Sequence, residues 1–126
     1  MKLRVIMSAV SAFQKLANAD MTLKSAYRLK KLVDSVQTEI DFFNEKQYKI
    51  IEKFGGGEGI VIPEDKLADM RAEIDELLEL DVQTEFTPIK LPLTENVSVS
   101  ASDITALSHF IEFTEHDTKR AGDLNG

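Results

Sequence analysis

The chain has 126 residues, of which 43 % are apolar and 29 % charged, enough to bury one ordinary core. It contains no cysteine, which excludes a disulfide framework, a thiolate nucleophile and a cysteine-based zinc site, and an intracellular home is the simplest reading. The net charge of −7 is unevenly spread: residues 1–54 carry ten Lys/Arg against six Asp/Glu, whereas residues 63–85 carry two against nine. A positive half and a negative half can pair within one molecule.

The opening segment KLRVIM alternates, with Leu3, Val5 and Met7 on one side and Lys2, Arg4 and Ile6 on the other, so a short strand is expected over 2–7. Ser8 then caps a helix to about Ala19, with Ala9, Phe13 and Leu16 on one face. Lys2 and Arg4 before an apolar stretch invite comparison with an export signal. Ser8, Ser11, Gln14 and Lys15 interrupt that stretch at helical spacing and argue against one. No apolar run approaches the ~20 residues that cross a bilayer.

The clearest pattern begins at Thr22, a plausible N-cap. Ala26, Leu29, Val33, Val36, Ile40, Phe43, Gln47, Ile50 and Phe54 follow in steps of three and four, with no Pro or Gly between 22 and 54. One helix of about 32 residues, roughly 48 Å long, is predicted. Gly55-Gly56-Gly57 ends it, because glycine accepts the left-handed conformation of helix C-termini. GGGEG at 55–59 is not a phosphate-cradling loop. Such loops follow a strand and open a helix, and here the glycines follow a helix with no Lys-Ser/Thr after them.

After Ile60-Val61-Ile62, Pro63 with Glu64 and Asp65 opens an acidic helix to about Glu79, its apolar residues at Leu67, Met70, Ile74 and Leu77. Residues 82–93 change period, and Pro88 and Pro92 restrict them to an edge strand or irregular ribbon. Ser100 with Asp103 forms a capping-box pattern for a last helix over 101–113, with Ile104, Leu107, Phe110 and Ile111 on its apolar face. Residues 114–126 read as a polar, flexible tail behind a single helical domain at 1–113.

The expected fold is therefore mainly α: a long central helix in an antiparallel helical hairpin or bundle, with a minor β-ribbon. The first helix covers the Ala26–Val36 half of the spine and the acidic helix the Ile40–Phe54 half, while the last helix fills the remaining face. Lys46, Lys49 and Lys53 then face Asp69, Glu73 and Glu76.

Candidate chemistry is sparse. His109, Glu112 and His116 share one face of the last helix, but the helix frays there and no second cluster completes a metal shell, so the face reads as solvated. No cofactor is expected. Lys24, Arg28 and Lys31, with Lys30 adjacent, form a basic stripe, although a pI near 4.8 and the lack of a recognisable motif argue against nucleic acid as partner. The acidic run from Glu64 to Glu85 pairs with the basic spine, or else mimics a nucleic-acid backbone to block an enzyme. With no cysteine, no glycine-framed serine and two late histidines, a nucleophile–base pair has no starting point, and the chain reads as non-enzymatic. Phe42 and Phe43 are adjacent, so Phe42 points off the stripe, either sealed by the last helix or exposed as an interface anchor. If the last helix is instead a docking peptide, Ile104, Leu107, Phe110 and Ile111 are its anchors.

The run AYRLKKLVDSVQTEIDFFNEKQYKIIEKFG, with the acidic helix, the ribbon and SASDITALSHFIEF, resembles a group of small uncharacterised proteins encoded by phages and prophages of Gram-positive bacteria. The resemblance covers most of residues 1–113 and carries over no functional residue. It implies a phage context in host cytoplasm or virion: a structural or assembly protein acting through protein–protein contacts, self-association included, or alternatively an inhibitor of a host enzyme or defence system acting through its acidic face.

Overall fold

The computed structural model describes residues 1–56, 61–92 and 97–114. Among them are four helices, α1 (Leu3–Ala17), α2 (Leu23–Lys53), α3 (Glu64–Leu78) and α4 (Ala101–Leu107), and two strands, β1 (Ile89–Pro92) and β2 (Ile111–Thr114). The fold is mainly helical, with a small two-stranded sheet and with α2 packed against other helices. The chain divides into two compact units. The first combines 1–7 with 36–84, the second 8–35 with 85 onward. Apart from Thr114 in β2, the expected tail lies outside the described residues.

Residues 2–7 are not a strand. Leu3 and Ile6, which an alternating pattern puts on opposite faces, are both fully buried, and with Ala9, Phe13 and Leu16 they follow one helical stripe. Val5 and Ile6 give the segment a β-like composition, but the helical period continues through Ser8, which is exposed mid-helix and caps nothing. The Leu3 N–H, orphaned at the helix start, donates to the Leu80 carbonyl at 2.8 Å, and Lys2 bridges to Asp81.

α2 matches its predicted limits closely. Thr22 caps it, its Oγ1 accepting from the Ser25 N–H at 3.2 Å. At the other end Gly55 adopts φ +88°, the Gly55 N–H donates to Glu52 O and the Gly56 N–H to Ile51 O, each at 2.9 Å. This double closure satisfies carbonyls that a helix end leaves free. A Cβ on Gly56 would lie 2.6 Å from Ile51 Cγ2 and 2.8 Å from Ile62 Cγ1, so the glycine also admits the close return of the chain at Ile62. Residues 57–60 of the glycine-rich segment lie outside the described residues.

In the first unit, Leu3, Phe43 and Leu77 form a cluster backed by Met7, Phe42, Ile50, Ile74, Leu78 and Val82. Val36 and Ile40 are also buried in this unit. α1 and α3 thus meet α2 here, and the acidic helix covers the distal half of the spine as its charge suggests. Lys53 pairs with Glu73 at 2.8 Å, while Lys2 and Arg4 both hold Glu79, at 2.6 and 2.9 Å.

The second unit buries Ala9, Ala12, Phe13 and Leu16 of α1 with Leu29 and Leu32 of α2, and with Leu91, Leu107, Phe110 and Ile111. Here the spine is rotated from its predicted face: Ser25 and Leu32 are buried and Ala26 is exposed. α4 is also shorter than the expected 101–113. It stops at Leu107, the Phe110 N–H donates to Leu107 O at 2.8 Å, and IEFT continues as β2, parallel to β1. The β1–α4–β2 segment is the crossover that a parallel pair requires. Its register places Lys90 beside Glu112, opposite charges on the exposed face. Ser100 and Asp103 do form the expected capping box.

Among the described residues, the Glu79 and Asp103 carboxyls are held below their ordinary range. The Lys2 hydrogen bond, then that of Arg4, depresses Glu79; the Lys15 hydrogen bond at 2.7 Å, then the Ser100 N–H, depresses Asp103. A carboxyl depressed in the folded state stabilises it above the unfolded pKa, and that stability is lost as pH falls through the folded value. Stability is therefore expected to decline below about pH 4, the unperturbed range. In thermal melts against pH, Asp103→Asn should flatten that decline. An unchanged acid slope would remove Asp103 from this role.

Candidate functional site

A concavity of about 490 Å³ in the first unit lies between α2 and α3. Phe42, Ile50, Leu77 and Leu80 make its apolar floor. Phe42 sits one position off the buried stripe because its neighbour Phe43 takes the core position. Its ring is half-buried against the Leu3–Phe43–Leu77 cluster, and the Lys46 ammonium stands over it, 5.7 Å from the centroid. Leu80, just past α3, is 45 % exposed, an open apolar side chain at the edge of the floor.

The rims have opposite signs. Lys46, Lys49 and Lys53 line the α2 side, Glu73 and Glu76 the α3 side. Of the predicted cross-helix pairs, Lys53–Glu73 forms, whereas Lys49 turns to Glu45 on its own helix at 3.7 Å. Among the described residues, Lys46 and Glu76 have no ion-pair partner.

Smaller concavities lie in the second unit. A cavity of about 60 Å³ lies among Leu16, Met21, Ser25, Leu91, Ile104 and Phe113, and a groove of about 290 Å³ runs past Ala17, Ala26, Leu29 and Val33. The groove follows from the rotated face of α2, which leaves Ala26 and Val33 of the predicted stripe at its wall.

Of the sequence-derived anchors, Phe42 is placed in the first unit's groove, with the core of that unit packed behind it. Leu107, Phe110 and Ile111 fill the core of the second unit. Of that set only Ile104 reaches the surface, 37 % exposed at the cavity's edge. The structure does not bring His109, Glu112 and His116 onto one helical face: His109 follows the end of α4, Glu112 is on β2, and His116 lies outside the described residues. No cluster of three potential metal ligands occurs among the described residues. The basic stripe is also broken up. Arg28 donates from Nη1 to the Lys90 carbonyl at 3.4 Å, and Lys30 pairs with Asp34 at 3.0 Å, leaving Lys24 and Lys31 exposed.

Sequence reasoning set the basic and acidic rims across from each other but missed Leu80, which follows the last periodic residue of its helix, and did not foresee which rim charges pair. Among the described residues, no helix is long and apolar enough to cross a membrane. Comparison with models of known families, with curated proteins and with solved structures finds no match to this chain.

Proposed function

We propose that the chain is a phage-encoded structural or assembly protein that acts without catalysis, by binding protein, with further copies of itself as the first partner. The observation that carries this reading is the Phe42 groove: an aromatic floor, an open Leu80 and two charged rims are the anatomy of a protein-binding patch, with an apolar centre and a polar edge. The likeness of the AYRLKKLV…EKFG helix and its following elements to small phage and prophage proteins supplies the context of virion or host cytoplasm.

A second reading, a phage inhibitor of a host enzyme or defence system, draws on the acidic face of α3, which shares Glu76 with the groove. Asp65, Asp69 and Glu76 are exposed along one face of α3, a row of negative charge suited to a basic site.

Size-exclusion chromatography with light scattering over a hundredfold range of concentration, about micromolar upward, tests the two. A structural or assembly protein is expected to run as a fixed oligomer. A chain that stays single throughout overturns self-association and transfers the reading to the inhibitor.

A further inference from the structure

The two rims of the Phe42 groove specify what can lie in it. An acidic helix would satisfy Lys46 and Lys49 but meet Glu76 on the opposite rim, and a basic helix would meet the reverse conflict. An occupant must carry both signs, in mirrored order, on either side of an apolar centre. The first unit itself has that arrangement. Rotating a copy by 180° about an axis along the groove lays its α3 rim over the α2 rim of the first copy. Lys46 of each then faces Glu76 of the other, and the two Phe42–Leu80 floors close on each other. Rotation about the perpendicular in-plane axis sets like charges together and is disfavoured. Lys53 and Glu73, already paired at 2.8 Å, take no part, which leaves the two rim charges without ion-pair partners to select the axis.

We propose that the groove between α2 and α3 is an isologous interface occupied by a second copy of this chain, with Lys46 and Glu76 forming two reciprocal charge pairs across the two-fold axis. The proposal rests on the self-association reading above and names its surface.

Charge exchange on the full chain tests it by sedimentation equilibrium. Both side chains are exposed, and far-UV circular dichroism is expected to show an unchanged fold for each variant. Lys46→Glu alone and Glu76→Lys alone each put two like-charge pairs in the interface and should weaken the dimer at least about tenfold. An equimolar mixture of the two variants restores opposite charges at both positions and should recover association, as should the double variant K46E/E76K in one chain. If the parent associates but the single variants associate equally well, or the mixture stays dissociated, this interface is overturned and self-association runs through another surface. If the parent never associates, the self-association reading falls with it.

Discussion

Phe110→Ala is expected to lower the unfolding free energy by about 3–5 kcal/mol, a large share of the 5–15 kcal/mol typical of a small protein. The side chain is fully buried in the second unit. Its ring meets Phe13 edge-on at 5.4 Å and Phe86 at 5.1 Å, so one truncation opens a void shared by α1, the segment before β1 and the turn after α4. The main chain at Phe110 also joins elements: its N–H donates to Leu107 O and its carbonyl accepts from the Ile89 N–H at 3.0 Å. Alanine keeps both bonds, so the loss reports packing alone. Urea denaturation followed by far-UV circular dichroism measures it, and a loss under about 1 kcal/mol would place Phe110 outside the core.

Val36→Asp is expected to unfold the first unit outright. Val36 has no exposed surface, and a carboxylate there would be buried without a partner, at a cost of several kcal/mol. Lys30→Asp is the matched control on the same helix. It loses one exposed pair with Asp34 and gains a like charge four residues away, worth about 0.5 kcal/mol each at most. The pair of variants separates burial from helix propensity, since both place Asp within α2. Similar melting temperatures for the two would contradict the buried position of Val36.

How much of this was legible follows from which signals are local. Thr22 and the glycines bound α2 because capping and left-handed closure involve residues a few positions apart. The Ser100–Asp103 box is legible for the same reason. The face of α2 is less so. Leu29 and Val36 belong to two overlapping stripes, one with Ala26 and Val33, the other with Ser25 and Leu32. The second unit buries the one that includes Leu32. Leu16 and Leu91, distant in sequence, line one cavity with Ser25 of that stripe, and no local period can place them there. IEFT was ambiguous in another way. Four residues suffice for a strand but not for telling a strand from the end of a helix, and pairing with Ile89–Pro92 decides. At the groove, Phe42 was visible because two adjacent phenylalanines cannot share one helical stripe. The opposing rims were visible too, from the charge of α2 and α3, but which charges pair was not: Lys53 takes Glu73 and Lys49 takes Glu45 only in the fold.

Both units are discontinuous along the chain, and this bears on the order in which they can form. Lys2 reaches Glu79 across 77 positions, and Lys15 reaches Asp103 across 88. During synthesis, α1 leaves the ribosome well before the segments that cover it: Leu3 waits for Leu77 and Phe13 for Phe110. Its apolar stripe meets solvent, or chaperones, until those partners emerge. Closing such long loops carries an entropic cost before any packing rewards it, which slows folding relative to a bundle of sequential neighbours. No single cleavage liberates either unit as one uninterrupted fragment.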